Sequence, residues 1–360
     1  MFMRLKICIT SIPLLFTLLC PAGWCLNAAR QYWVGFISTV GSFPAVILMK
    51  IDSSGEIIQS PRIAFVRTHQ LTSLALANAE GLTDLNVYFM DGHFNREKRT
   101  ERLFVAKVPK ATGKAISFRA TNIHVTNYLH LQVTQKRTDN FIALSNFNFA
   151  MMQGRLYAYG TKSDGLPDNS SWLLTEHSLG SGLGGESCLN CAGSVSSDGR
   201  YAVFVDLEPG SGSLIYSQKL GVKGMPLGPA NFIDNTHGRG GATNYEDVSG
   251  ILHGEKRMIV YDSFPGGPGG SGPARIFLQA IDSATGEKMG HKIVLQTDVQ
   301  EAEIEGLAID PFGQFLIYAQ NSGSCGLCFQ PLDQRGNALG RPRALSLLQA
   351  IRPDILLDLN

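Results

Sequence analysis

Apolar and polar positions along this chain fall into short blocks, and the blocks repeat. An apolar run at 46–49 leads into Asp52-Ser-Ser-Gly55, then the pair Ile57-Ile58 and then Pro61-Arg62. About 280 residues later a run at 327–332 leads into Asp333-Gln-Arg-Gly336, Ala338-Leu339 and Pro342-Arg343 at the same offsets. Aspartate can bond its own downstream backbone and glycine accepts positive φ, so each copy predicts strand, tight turn, strand. Related hairpins start at Leu103-Phe-Val105, Trp172-Leu-Leu174, Leu214-Ile-Tyr216 and Ile276-Phe-Leu278, which brings the set to six.

Each hairpin follows an apolar segment centred on an aromatic, at 32–36, 87–89, 156–159, 201–204, 258–261 and 315–318. Polar turns with glycine precede several of these, as in Ser197-Asp198-Gly199 and Asp310-Pro-Phe-Gly313. The unit is therefore four strands, recurring at roughly 45 to 70 residues, close to the repeat length of propeller blades. Phe315-Leu-Ile-Tyr318 and Tyr201-Ala-Val-Phe-Val205 are apolar at every position, where a half-exposed strand alternates, so both their faces need cover. The fold class is all-β: a six-bladed β-propeller of four-stranded antiparallel blades. Seven blades stay open, because the gap of about 70 residues between Phe89 and Tyr159 has room for more strands. The first copy begins at its second strand, so residues 355–359 are expected to supply its inner strand and close the ring, which removes exposed edges.

Composition narrows the function. The 360 residues are 44% hydrophobic and 17% charged with a formal net charge of +1, a globular balance without the basic stripe that a nucleic-acid binder shows. No nucleic-acid partner is expected. Arg4 and Lys6 precede an apolar run at 7–19 that Pro21-Ala-Gly23 breaks, the layout of a secretory signal. The run is shorter than the ~20 residues of a membrane span. Residues 1–25 are thus assigned to a signal peptide and 26–360 to one propeller domain, periplasmic or secreted, with no stable membrane span after signal removal. Cys20 and Cys25 follow Leu19 and Trp24, which are too large for a lipid-modified start.

Two Cys-x-x-Cys pairs remain in the mature chain, Cys188 with Cys191 and Cys325 with Cys328. In a cytosolic chain they point to zinc. Export favours local disulfides instead, with a shared metal site and free thiols left open. Ala192 and Phe329 stand where haem attachment needs histidine. Propeller connectivity puts all four cysteines on one face, with the glycine-rich segment 265–273. The same face collects Glu246-Asp247 and Glu303-Ala-Glu305, each just before an inner strand. Carboxylates at the channel mouth can hold Ca²⁺ or another hard cation, or a water for hydrolysis; solvated loop acids are the plain alternative. Tyr245 and His237 lie nearby in sequence. No cofactor is predicted from a motif, Ca²⁺ and Zn²⁺ being the ions these residue types can take. No nucleophile elbow, phosphate loop or His-Glu-x-x-His helix occurs, and Asn169-Ser-Ser171 is a glycosylation sequon only in a eukaryotic secretory route.

Ser196-Ser-Asp-Gly-Arg-Tyr-Ala-Val-Phe204 and Ile309-Asp-Pro-Phe-Gly-Gln-Phe-Leu-Ile-Tyr318 resemble the Ser-Pro-Asp-Gly signature of TolB-type, WD-like bacterial propellers. Ser197 replaces the usual proline, and Phe312 the aspartate of the last copy. The likeness covers about two thirds of the mature chain and implies an exported, non-catalytic scaffold that binds a protein, peptide or glycan through one face. Glu305-Gly-Leu-Ala-Ile-Asp310 is similar to the strand entry of gluconolactonase and esterase-like phytase propellers, which implies a metal-assisted hydrolase with Glu305 near the ion. Fold alone separates neither reading.

Overall fold

A strand that is apolar at every position has to be covered on both faces, and neighbouring sheets supply that cover. The structure, a computed structural model, describes residues 30–95, 98–125, 131–134, 141–148, 153–173, 193–208, 212–221, 224–235, 246–250, 256–263, 275–296, 304–320 and 325–359. These form six four-stranded antiparallel sheets. Blade 1 consists of β24 (Ile351–Leu357), β1 (Gln31–Val40), β2 (Phe43–Asp52) and β3 (Ile57–Val66). Blade 2 runs β4 (Gln70–Asn78), β5 (Asp84–Asn95), β6 (Lys98–Pro109), β7 (Ser117–Val125), and blade 3 runs β8 (Leu131–Thr134), β9 (Phe141–Asn148), β10 (Gln153–Thr161), β11 (Pro167–Leu173). Blade 4 is β12 (Gly193–Val195), β13 (Tyr201–Glu208), β14 (Gly212–Lys219), β15 (Asn231–Asn235); blade 5 is β16 (Glu246–Val248), β17 (Lys256–Ser263), β18 (Arg275–Asp282), β19 (Lys288–Gln296). Blade 6 is β20 (Ile304–Ile309), β21 (Phe315–Gln320), β22 (Leu327–Pro331), β23 (Arg343–Ser346). No helix long and apolar enough to cross a membrane occurs among the described residues.

The core is divided into six clusters, one at each junction between blades. Strand β21 shows how alternation works inside such a stack. Phe315, Ile317 and Ala319 pack into the junction with blade 1, while Leu316 and Tyr318 pack into the junction with blade 5. The uninterrupted apolar run is two interfaces read alternately. Ring closure follows the sequence expectation: β24 pairs antiparallel with β1, setting Leu357 opposite Tyr32 and Ile355 opposite Val34. The strand starts four residues earlier than 355.

The turns behave as the spacing predicts. Asp52 Oδ1 accepts the N–H groups of Ser54 and Glu56, Asp333 Oδ1 accepts those of Arg335 and Asn337, and Gly55 and Gly336 hold φ of 80° and 89°. A further repeat sits on the third strands. Gln218, Gln279 and Gln330 each donate Nε2 to the carbonyl of the next residue and to that of the residue ten further on. The side chain thus locks the third strand to the segment beyond its turn in blades 4, 5 and 6.

Blade 3 departs from the sequence reading by one strand. The sequence predicts the aromatic segment 156–159 as a second strand and Trp172-Leu-Leu174 as a third; 156–159 belongs to the third strand β10 and Trp172-Leu173 to the outer strand β11, Leu174 lying outside the described residues. The physical reason is the turn between them. Lys162-Ser-Asp-Gly165 is the third-to-fourth-strand turn of this blade, with Asp164 Oδ1 taking the Leu166 N–H and Gly165 at φ 81°. Four strands, β6 to β9, fill the gap that left a seventh blade open.

Leu356 is 3% exposed in the junction between blades 1 and 2, whereas Leu359, two residues past the strand, is 46% exposed. Leu356→Ala is expected to cost about 2–4 kcal/mol in denaturant unfolding, and Leu359→Ala under about 1 kcal/mol. Equal effects of the two would show that β24 is not part of the core.

Candidate functional site

The inner strands β4, β8, β12, β16, β20 and β24 touch one another in a closed ring around the axis. One layer of this ring carries the acids. Asp247 stands opposite Val260 and Asp354 opposite Gly35, equivalent places in blades 5 and 1. The same layer holds Ser194 opposite Val203, Ala308 opposite Ile317 and Ala75 opposite Tyr88. Between the two aspartates, on the intervening blade, the layer has only the methyl group of Ala308.

Both carboxylates tie their blade to the next one. Asp247 Oδ2 accepts the Ile309 N–H at 3.0 Å, and its Oδ1 accepts the Val248 N–H at 2.8 Å and the Ser194 hydroxyl at 3.2 Å. Asp354 Oδ2 accepts the Leu76 N–H at 2.6 Å. Bonds of this kind reconcile a charged oxygen with a low-dielectric surrounding. They do so incompletely at Asp354, where burial, followed by the charge of Asp247, pushes the pKa up to about 7 despite the Leu76 and Ile355 N–H groups.

The layer borders a cavity of about 440 Å³ at the end of the channel where the inner strands finish. Its wall is largely apolar, with Leu76, Val248, Ile309 and Ile355 among its residues, and the first-to-second-strand turns of blades 4 and 6 contribute Arg200 and Phe312. Asp198 also lines it, and Arg257, fully buried on β17, grips both Asp198 oxygens at 2.9 and 2.6 Å while lying over the Tyr201 ring. Burial would raise the Asp198 carboxyl, but the donors and charge of Arg257, with Ser196 and the Arg200 N–H, hold it below the usual carboxylate range. The corresponding tie between blades 6 and 1 is Asp310, which accepts the Phe312 and Phe315 N–H groups and the Tyr32 hydroxyl. Burial lifts its pKa to about 6.

Of the acids named from sequence, Asp247 reaches the channel layer and is 5% exposed. Glu246 precedes it on β16. Glu305 lies on β20, half-buried, three residues before the layer position Ala308 and within the bulge between Ile304 and Gly306. Among the described contacts, Asp247 meets Ser194, Ile309 and the field of Asp354. Glu303, Tyr245, His237, Cys188, Cys191, the segment 265–273 and residues 1–25 lie outside the described residues. Cys325 and Cys328 form a disulfide. Gly326 inside that ring donates to Ser346 O and accepts from Gln320 N; a Cβ there would lie 1.8 Å from Leu348 O, so the position admits only glycine. Sequence reasoning missed Asp354, although an aspartate inside the strand Ile351–Leu357 is the kind of polar interruption that marks a channel-facing position.

The fold and this channel define the class: a six-bladed β-propeller of four-stranded blades closed by its carboxy-terminal strand. No protein-family model matches the chain, and no curated protein matches it either. Among solved structures it is similar to the Pseudomonas aeruginosa periplasmic gluconolactonase PpgL, at 13% identity over 91% of this chain and 99% of that one, with a TM-score of 0.49. A putative 6-phosphogluconolactonase from Bacteroides uniformis gives 11% identity over 91% and 100%, TM-score 0.46. The lectin SapL1, in complex with alpha methyl fucoside, gives 9% over 85% and 94%, TM-score 0.45. At such values nothing about the site is drawn from them.

Two outcomes follow from this geometry. Asp354 has a folded pKa above its unfolded value, so its penalty is absent at acid pH, where both states hold the proton, and grows as pH rises from about 4 to about 7. Asp354→Asn, which keeps an acceptor for Leu76, should therefore gain stability relative to the parent between pH 5 and 8, by on the order of 2–4 kcal/mol. A difference that does not change with pH would refute the assignment. Separately, alkylation of unreduced, denatured protein should leave Cys325 and Cys328 unmodified in mass spectra, and breaking their small ring should cost less than ~3 kcal/mol.

Proposed function

We propose that the chain is an exported, non-catalytic propeller that binds a protein, peptide or glycan segment. The observation that carries this reading is the division of labour in the channel. The acids of the inner layer are committed to backbone N–H groups of the neighbouring blade, while a largely apolar wall encloses about 440 Å³, within the range of about 300–1,000 Å³ typical of ligand sites. A nucleophile or metal ligand needs lone pairs aimed at the reacting atom; those of Asp247 are aimed at Val248, Ser194 and Ile309. Export is supported by the leader pattern together with the Cys325–Cys328 disulfide, which an oxidising compartment preserves. The TolB-type signature at 196–204 and 309–318 fits the same role.

Metal analysis and a hydrolysis panel test the reading. Purified mature protein should carry no stoichiometric Ca²⁺ or Zn²⁺ and should turn over neither lactones nor phosphate and carboxylate esters. Metal-dependent hydrolysis that is abolished in Glu305→Gln would overturn it and establish the hydrolase instead.

A further inference from the structure

We propose that the cavity receives the carboxy-terminal residue of a partner polypeptide, its carboxylate on Arg200 and its aliphatic side chain against the apolar wall. This rests on the binding-propeller reading and names the part of the partner that enters. Four charged residues line the cavity, and three of them are acids. Arg257 holds both Asp198 oxygens, and Asp247 bonds Val248, Ser194 and Ile309. Asp354 accepts the Leu76 N–H, and burial holds its pKa up at about 7, so at mildly acid pH it adds little charge. Arg200 differs from all three. It is exposed on the first-to-second-strand turn of blade 4, and its guanidinium has no hydrogen bond or ion pair among the described residues. Ser197, on the same turn, also lines the cavity, and its hydroxyl has no hydrogen-bond partner among the described residues either.

An unengaged guanidinium beside an apolar space selects an anion with a hydrocarbon body. Its planar fork grips both oxygens of a carboxylate at once. The hydrocarbon is met by Leu76, Val195, Val248, Ile309 and Ile355, one residue from each of blades 2, 4, 5, 6 and 1. Apolar residues converging from five blades suit a compact branched group such as the side chain of leucine or isoleucine. The last residue of a polypeptide carries such a group and the carboxylate on one carbon, and its amide N–H needs an acceptor, which the Ser197 hydroxyl offers. A free carboxylic acid leaves Ser197 unused. A glycan would set hydroxyl groups against hydrocarbon without partners, which is costly.

The experiment is titration calorimetry on the mature propeller in low salt at about pH 6, where a terminal carboxylate is ionised and Asp354 is largely protonated. The probes are acetyl-Ala-Ala-Leu with a free carboxylate, its carboxy-terminal amide, acetyl-Ala-Ala-Gly with a free carboxylate, and isocaproate, which is leucine without its amino group. The leucine acid should bind at least about tenfold more tightly than its amide, the difference expected of one charge-assisted contact. It should exceed the glycine acid by a similar factor, the contribution of a buried aliphatic side chain. Arg200→Gln should abolish the preference for acid over amide and leave the affinity of the amide unchanged. If that variant does not fold, the probe pairs on the parent protein decide alone. Equal binding of acid and amide, equal binding of the leucine and glycine acids, or no binding of any probe overturns the proposal, and so does an Arg200→Gln protein that still prefers the acid. Isocaproate binding as tightly as the leucine acid overturns the polypeptide assignment in favour of a free carboxylic acid. None of these titrations reads turnover, so the non-catalytic reading is decided separately by the hydrolysis panel.

Discussion

Burial of apolar surface between blades is the constraint on which everything else depends. A four-stranded sheet with two apolar faces has no stable existence alone, and here each face is covered by the face of the next sheet, giving six separate clusters in place of one central core. The requirement is circular. Tyr32, Phe36 and Met49 of blade 1 are covered only because Phe315, Ile317 and Phe329 of blade 6 return to meet them. The axis is then a by-product of closing the ring, and its width decides which side chains the inner strands can carry. Ser194 and Ala308 are small where their neighbours are acids.

Polar groups inside such a stack persist only where the neighbouring blade supplies their partners. Arg257 is fully buried because Asp198 of blade 4 meets it with both oxygens, and Asp310 is tolerated because three backbone N–H groups and Tyr32 surround it. Replacing one member of such a pair leaves the other buried without its partner, which costs more than the pair contributes. The same logic applies to the acids of the channel, whose bonds to backbone N–H groups hold adjacent inner strands together.

Much of this was legible in the chain itself. Turn chemistry at Asp52 and Asp333, aromatic-centred strands at 201–204 and 315–318, and closure by the carboxy-terminal apolar run all follow from local physics, because a tight turn and a doubly buried strand leave strong marks on composition. Blade 3 is the exception, because aromatic content does not distinguish a second strand from a third; only the turn Lys162-Ser-Asp-Gly165 does, and it resembles the first-strand turns of other blades. The glutamine clamps at 218, 279 and 330 have no local signature because they act between a side chain and carbonyls ten residues away, a spacing with no secondary-structure period. Asp247 was found by its position before an inner strand. Its relation to Asp354, across more than a hundred residues of sequence, depends on ring closure and has no local signature.

Closure by β24 also imposes an order of events. The inner strand of the first blade is separated from its partner β1 by more than three hundred residues, so until it pairs β1 has an unpaired edge. Contacts of such long sequence separation form slowly. The folding chain is therefore an open arc of blades until residues 351–357 dock. An unsealed β1 edge is a template for another copy of the same segment, so the vulnerable period of this protein is set by how fast strand β24 finds strand β1.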